Sequence, residues 1–181
     1  MNYLPADTRK DELLKIGDKA PDFALISLNG EEWHLSEQIG KVTALLFYPK
    51  NETLVCTKQL CSVRDNWSDY IKTKAVVVGI SHGTVDEHRL FSRRHQLPLS
   101  LLADVDRKVT ETYGRHWIMP IFFTRAIVIV DAKGFIRHRK IMLRAFRPTD
   151  KNVLASIYAA RTDSLQESFE AILKKSRGRL K

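Results

Sequence analysis

The sequence predicts an α/β protein with a central mixed β-sheet flanked by helices, and three observations carry this prediction. Two nearly continuous apolar runs, residues 42–48 and 75–81, are typical of strands buried on both faces of a sheet. A helix-like run, residues 54–70, lies between them, as in a β-α-β unit. Residues 29–30 (Asn-Gly) and 131–134 (Asp-Ala-Lys-Gly) are turn sequences between strand-like segments, and they predict two β-hairpins.

The remaining elements follow in chain order. The N-terminal β-hairpin is predicted to join residues 23–28 to residues 32–35. After the second buried strand, the pattern predicts a helix over 84–95, a strand over 98–102, a helix over 107–113, a hairpin of 125–130 with 135–143, and helices over 151–158 and 162–175. A β-α-β unit followed by a hairpin and a helix fits a thioredoxin-like α/β sandwich.

The length of the chain suits one domain. Its 181 residues are enough to bury a hydrophobic core without disulfide bonds, and 44% of them are hydrophobic. We expect residues 1–13 to form an N-terminal arm, residues 14–160 the thioredoxin-like domain, and residues 161–181 a basic helical extension.

The formal net charge of +9 raises the question of a nucleic-acid partner. Much of the excess charge follows Glu170, where no acidic residue balances Lys174, Lys175, Arg177, Arg179 and Lys181. No helix-turn-helix, zinc-finger or aromatic RNA-binding motif accompanies this charge. The simpler explanation is a solvated basic surface, so we expect no specific nucleic-acid function and only weak, salt-sensitive binding.

Neither a membrane span nor a secretory leader is visible. No apolar run approaches the length of about 20 residues that a bilayer requires, and the first residues lack the charged and apolar regions of a signal peptide. We therefore expect no membrane partner and, by default, a cytoplasmic location, with an organelle as the open alternative.

Cys56 and Cys61, the only two cysteines, are the most informative residues. Cys56 lies where the first buried strand gives way to the helix-like run. A thiol at a helix amino terminus experiences the positive end of the helix dipole, which favours its thiolate form. A second thiol five residues later can capture the oxidised product of the first. The pair therefore indicates redox chemistry.

The spacing of the two cysteines argues against a structural disulfide. On an ideal helix their Cα atoms would lie about 8.6 Å apart, beyond the limit of about 7 Å for a disulfide. If both thiols lie on one helix, bonding them requires its first turns to unwind. A metal site is a weaker alternative, because structural zinc sites use four ligands, and the neighbouring His34 and His82 form no ligand motif.

The pattern Pro49-x-x-x-Thr53-x-x-Cys56 resembles the active-site motif of the peroxiredoxins. Thr57 and Gln59 follow the cysteine as in many members. Three further segments resemble the family in the right order: residues 17–23 (Gly-Asp-Lys-Ala-Pro-Asp-Phe), Arg125 ahead of an apolar strand, and the turn that contains Lys133-Gly134. The resemblance spans about residues 14–160 and implies a thioredoxin-like fold.

The position of Cys61 resembles one subgroup, the bacterioferritin comigratory proteins or peroxiredoxin Q, in which the resolving cysteine lies five residues downstream. Many members of this subgroup carry proline at the position of Leu54, and only proline fixes φ near −65°. We therefore expect a less rigid loop at Leu54. We also expect the bulky segment 117–124 to shape one wall of the pocket.

The resemblance implies a role for each of five residues. Cys56 would attack a peroxide as the thiolate, and Cys61 would resolve the resulting sulfenic acid as an intramolecular disulfide. Arg125 would stabilise the thiolate and the leaving oxygen, Thr53 would hydrogen-bond the peroxide, and Pro49 would shield the sulfur. A hydroperoxide substrate and a dithiol reductant such as thioredoxin are the implied partners, with no metal or other cofactor, in a monomer or weak homodimer.

Each of these roles has a structural alternative. Thr53 could be a simple helix cap, Pro49 could only end a strand, Arg125 could lie on the surface, and Cys61 could be a buried core thiol. We expect Gln59 to be structural.

The alternative function is a non-enzymatic redox sensor, in which the same cysteines change a binding surface. A disulfide reductase is weaker still, because the C-x-x-C motif on which it normally relies is absent.

Overall fold

A computed structural model describes residues 13–114, 124–143 and 145–177. Most of the predicted N-terminal arm, the bulky segment up to residue 123, and the last four residues of the basic extension lie outside these ranges. The described strands are β1 (Ala24–Ser27), β2 (Glu32–His34), β3 (Thr43–Phe47), β4 (Val76–Ser81), β5 (Ser100–Ala103), β6 (Thr124–Val130) and β7 (Ile136–Leu143). The helices are α1 (Leu54–Asp65), α2 (Trp67–Thr73), α3 (Val85–His95), α4 (Lys108–Gly114) and α5 (Asp150–Arg177).

The described strands form one mixed sheet in the order β2-β1-β5-β4-β3-β6-β7. The central strands β3, β4 and β5 are parallel, while β1, β2, β6 and β7 pair antiparallel. Both predicted hairpins are present, and every residue of β3 is buried, as its apolar run predicted. The predicted thioredoxin-like α/β fold is confirmed.

Two hydrophobic clusters pack on opposite faces of the sheet. Because side chains alternate along a strand, Ala44 and Leu46 of β3 face one cluster and Leu45 and Phe47 face the other. The first cluster lies beneath α1, α2, α3 and α5, and the second beneath α4 and the segment before β1. The same alternation along β6 places its odd-numbered residues on the face that α1 covers.

The predicted helix over 54–70 is wrong in one respect, because it is two helices that meet at Asn66. The Asn66 side chain donates to the Ser62 carbonyl at 2.9 Å and to Asp150 at 3.4 Å. Asparagine competes in this way with regular backbone hydrogen bonding. Asp150 lies 84 residues away in sequence, so the local pattern could not reveal this contact.

The two helices predicted over 151–158 and 162–175 are one helix, α5. No glycine or proline lies between residues 158 and 162 to end the first one. The Thr162 hydroxyl donates to the Tyr158 carbonyl at 3.1 Å within the helix, which accommodates this polar residue. The predicted domain boundary at residue 160 therefore falls inside α5.

The fold brings together the two chain segments on which the site depends. The loop after β3 leads into α1 at the carboxyl end of the parallel strands, where ligand sites of α/β sheets occur. Strand β6 runs antiparallel to β3, so its first residues lie beside the end of β3. Within the part of the chain that the structure describes, no helix is long and apolar enough to cross a membrane.

Candidate active site

Cys56 lies in the first turn of α1 and is buried, with 1% of its surface exposed. The helix begins at Leu54, and Thr53 occupies the cap position with an extended backbone. The first turn of a helix carries backbone N–H groups without carbonyl partners, together with the positive end of the dipole. The Cys56 sulfur therefore lies where negative charge is favoured.

Arg125 reaches this sulfur from β6. Because Phe47 pairs with Ala126, the register places Arg125 beside the residue that follows β3, on the face covered by α1. Its Nη2 donates to the Cys56 Sγ at 3.1 Å, and its side chain is 2% exposed. The structure thus places Arg125 in the interior, in contrast to the alternative of a surface arginine.

Gln59 holds the other end of the same guanidinium. Its Oε1 accepts from Arg125 Nη1 at 2.6 Å, and Gln59 is itself buried. Cys56 and Gln59 are three residues apart on α1, so both face the arginine. The sequence predicts a structural role for Gln59, and in the structure its side chain orients Arg125. Two features of the sequence could have indicated this contact. Gln59 lies three residues after Cys56, which places both on one face of a helix, and its side chain is polar.

Thr53 and Pro49 lie in the loop between β3 and α1. Thr53 is exposed and makes no side-chain capping hydrogen bond; its hydroxyl instead donates to the Lys50 carbonyl at 3.4 Å. The simple cap role is therefore not what its hydroxyl performs. Pro49 is half-buried.

Cys61 lies on the same continuous helix as Cys56, and both thiols are free. Cys61 is half-buried, five residues further along α1. Ideal helix geometry separates the two Cα atoms by about 8.6 Å, so a disulfide between them requires α1 to unwind locally.

A chain of buried and half-buried hydrogen bonds links the active-site loop to α3 and β5. The Tyr48 hydroxyl donates to Asn51 Oδ1 at 2.8 Å, and Asn51 Nδ2 lies 2.9 Å from His88 Nδ1. His88 Nε2 lies 3.1 Å from the Leu102 carbonyl, which can only accept, so Nε2 carries the proton. Nδ1 then accepts from Asn51. Burial lowers the pKa of His88, which agrees with this neutral form.

Burial also raises the pKa of Tyr48, so its hydroxyl stays protonated and donates to Asn51. This network could not be predicted from local sequence patterns, because its residues come from three separate parts of the fold: the active-site loop, α3 and β5. Among the described residues, no group of three or more His, Cys, Asp or Glu side chains is arranged to hold a metal ion.

The fold and this two-cysteine site define a thiol-dependent redox protein of the thioredoxin-fold class. The sequence pattern of the AhpC/TSA family matches residues 16–139, and the chain belongs to this family. The resemblance to peroxiredoxins is thereby confirmed.

Individual relatives agree with this assignment. Peroxiredoxin Bcp of Bacillus subtilis is 38% identical over 123 residues, which cover 68% of this chain and 78% of the relative. The chloroplastic peroxiredoxin Q of Triticum aestivum is 36% identical over 127 residues, covering 67% of this chain but only 57% of the relative. The crystal structure of peroxidoxin BcpB from Mycobacterium tuberculosis superposes with a TM-score of 0.69 at 26% identity, covering 82% of this chain and 99% of that one.

Proposed function

We propose that the protein is a thiol peroxidase that reduces hydrogen peroxide and organic hydroperoxides, and so acts in antioxidant defence. The single observation that carries the proposal is the buried hydrogen bond of 3.1 Å from Arg125 to the Cys56 sulfur at the start of a helix. A structural thiol needs no buried guanidinium, whereas a peroxidatic thiolate needs a cation that also faces the leaving oxygen. The membership in the AhpC/TSA family supports the same function.

In the first step, the Cys56 thiolate attacks the terminal oxygen of the hydroperoxide. The S–O bond forms as the O–O bond breaks, and Cys56 becomes a sulfenic acid. The leaving oxygen departs as an alkoxide or hydroxide and takes up a proton to give alcohol or water. The sulfur loses two electrons and the peroxide gains them.

Arg125 serves this step in two ways. Its guanidinium holds the thiolate before the reaction, and afterwards it stabilises the charge that develops on the leaving oxygen. Gln59 fixes one edge of the guanidinium, so that Nη2 is directed at the sulfur. The Thr53 hydroxyl is proposed to hydrogen-bond the bound peroxide, and Pro49 to limit the access of water to the sulfur.

In the second step, the Cys61 thiol attacks the sulfenic sulfur. The disulfide forms and the hydroxyl leaves as water, so no further oxidant is needed. Because both cysteines lie on α1, this step follows local unwinding of the helix. A dithiol protein, most simply a thioredoxin, would then return both thiols by exchange.

The proposed setting follows from the same chemistry. The reactants and the reductant are water-soluble, and the cycle uses no metal, haem or flavin. We propose that the protein works in the cytoplasm as a monomer or weak homodimer, without a specific nucleic-acid partner.

Stopped-flow fluorescence on the fully reduced protein tests the function. Trp67 provides a reporter, since it begins α2 directly after α1 and stacks on Tyr70 at a centroid distance of 6.1 Å. Hydrogen peroxide should produce a fast second-order phase that Cys56→Ser abolishes, and a slower phase that Cys61→Ser removes.

Oxidation no faster than that of an ordinary free thiol would contradict the proposal. A thioredoxin-coupled turnover assay then separates a peroxidase from a redox sensor, because a peroxidase consumes many equivalents of peroxide per chain. Consumption that stops near one equivalent would favour the sensor, although the family membership does not favour it.

A further inference from the structure

The proposed disulfide can form only if α1 changes its conformation. The Cys56 and Cys61 Cα atoms must approach by about 3 Å from their helical separation, so part of α1 and its flanking loop must move. Which part moves depends on how each end of the helix is held.

The carboxyl half of α1 is fixed by polar contacts next to Cys61. The Ser62 hydroxyl donates to Asp150, and Arg64 Nη1 donates to the His95 carbonyl at 2.7 Å. Asn66, directly after the helix, also donates to Asp150. These contacts tie the Cys61 end of α1 to α5 and α3, so Cys56 is the thiol that travels.

The residues that begin α1 provide few interactions that stabilise its first turn. Thr53 provides no side-chain cap, the first turn contains no acidic residue to complement the dipole, and the Leu54 side chain is 79% exposed. Apart from the contact of Cys56 with Arg125, little within the turn opposes unwinding. The loop before the turn also restrains it, because this loop must follow when Cys56 moves.

That loop has one attachment to α3 whose partner is fully buried, the hydrogen bond between half-buried Asn51 and His88 described above. Asn51 uses both ends of its amide, one towards Tyr48 and one towards His88. Gly83 packs against this pair so closely that an added Cβ would lie 2.8 Å from His88 Cε1 and 2.9 Å from Asn51 Nδ2. Gly83 therefore packs directly against this contact.

The neighbouring Glu52 makes a second attachment, but an exposed one. Its carboxylate lies 3.0 Å from Arg94 and 3.3 Å from His95, and 43% of its side chain is exposed. Exposed ion pairs contribute little because water and salt screen them, whereas a buried hydrogen bond that is broken leaves polar groups without partners.

We propose that Asn51 and His88 are positioning residues for the proposed peroxidase reaction: their hydrogen bond holds the active-site loop closed and so sets the rate at which α1 unwinds for disulfide formation. This inference rests on the proposed function for its role in catalysis, but the restraint itself is a property of the reduced protein. Weakening this hydrogen bond increases the fraction of molecules in which the first turn of α1 is unwound, and so accelerates the resolving step. The peroxide step changes little, because the closed form still predominates.

Hydrogen–deuterium exchange of the reduced protein tests the restraint without any peroxide chemistry. The Asn51→Ala variant loses two hydrogen bonds, so exchange of the amides in residues 54–60 should accelerate about tenfold. The Gly83→Ala variant should do the same by steric displacement, with every hydrogen-bonding group retained. Glu52→Gln, in the same loop, is the matched control and should change exchange by no more than about twofold.

Stopped-flow oxidation of the same variants tests the link to catalysis. Asn51→Ala and Gly83→Ala should accelerate the resolving phase about tenfold and change the peroxide phase by less than about twofold. His88→Gln should keep both phases near the wild-type rates, since an amide can accept from Asn51 and donate to Leu102 in place of the imidazole.

The outcomes separate the two proposals. Unchanged exchange in residues 54–60 of both Asn51→Ala and Gly83→Ala would overturn the restraint, as would a resolving phase that is slower in both variants. If the wild-type protein shows no phase dependent on Cys56, the proposed function fails, and the exchange data alone decide whether the contact restrains α1.

Discussion

Replacing Arg125 by lysine separates the geometry of this residue from its charge. In the structure, two nitrogen atoms of one guanidinium serve two acceptors: Nη1 donates to Gln59 at 2.6 Å and Nη2 to Cys56 at 3.1 Å. A lysine keeps the positive charge but has a single nitrogen on a flexible stem. It cannot keep its position against Gln59 and also face the sulfur and the leaving oxygen.

The expected loss follows from the contact that is removed. A donor directed at developing charge in a buried site contributes about 3 kcal/mol to the transition state, which corresponds to roughly a hundredfold in rate. Since Arg125 is 2% exposed, water cannot replace the missing donor. We therefore expect Arg125→Lys to lower the second-order rate constant of the peroxide step about a hundredfold, while the thiol content and the fold are unchanged.

The assay is stopped-flow oxidation of the reduced variant by hydrogen peroxide at neutral pH, with circular dichroism to verify the fold. Arg139→Lys is the matched control, because Arg139 is a half-buried arginine of the β6–β7 hairpin whose Nε donates to the Tyr113 carbonyl at 3.0 Å. The control should react at the wild-type rate. If Arg125→Lys stays within about threefold of the wild type, charge alone is sufficient and the geometric argument is refuted.

Three further predictions use the same buried contacts. Gln59→Leu removes the acceptor that orients Arg125 and should slow the peroxide step about tenfold in stopped-flow oxidation; a rate within about twofold of the wild type would contradict this. His88 has a pKa lowered by burial, so the unfolded chain takes up the proton first and stability falls as the pH drops below about 6.5. When the pH is lowered from about 7.5 to about 5.5, the free energy of unfolding measured with urea should therefore fall by about 1 kcal/mol more for the wild type than for His88→Gln. An equal decrease in both proteins would exclude the effect. Asp150→Ala removes the carboxylate that accepts a hydrogen bond from the buried Tyr70 hydroxyl. The free energy of unfolding should fall by about 3 kcal/mol and the melting temperature by about 10 °C. A decrease in melting temperature of less than about 2 °C would mean that the contact contributes little.

The elements with strong local patterns were predictable from the sequence. The apolar runs of β3 and β4 reflect burial on both faces of the sheet, and the turn residues at 29–30 and 131–134 mark the hairpins. The ends of the helices were harder to predict. The break at Asn66 depends on Asp150, which is distant in sequence, and no local pattern contains that partner.

The active site was predictable only in part, for a related reason. The position of Cys56 at the start of a helix follows from the change of pattern after residue 48. Residue spacing could not place Arg125 beside it, because the pairing register of β3 with β6 determines which residue meets the sulfur, and only the family resemblance suggested the arginine. The contact of Gln59 with Arg125 and the contact of Asn51 with His88 were not predicted, because in each case the partner is distant in sequence.

The proposed chemistry places opposing demands on α1, and the structure meets them with contacts in different places. The peroxide step needs Cys56 held against Arg125, and the buried contacts of Arg125 and Gln59 stabilise that state from the sheet side. The resolving step needs the same turn to unwind, and at Leu54 the chain lacks the proline that would fix φ at the helix start. The cap position and Leu54 add little to the stability of this turn, because Leu54 buries little apolar surface and Thr53 provides no side-chain cap. The folded form of the first turn, with Cys56 against Arg125, must therefore be stabilised by contacts outside the turn. Arg125 provides one of these contacts, and the loop held by Asn51 provides the other. This arrangement lets the loop contact tune the resolving step with little effect on the geometry at the sulfur.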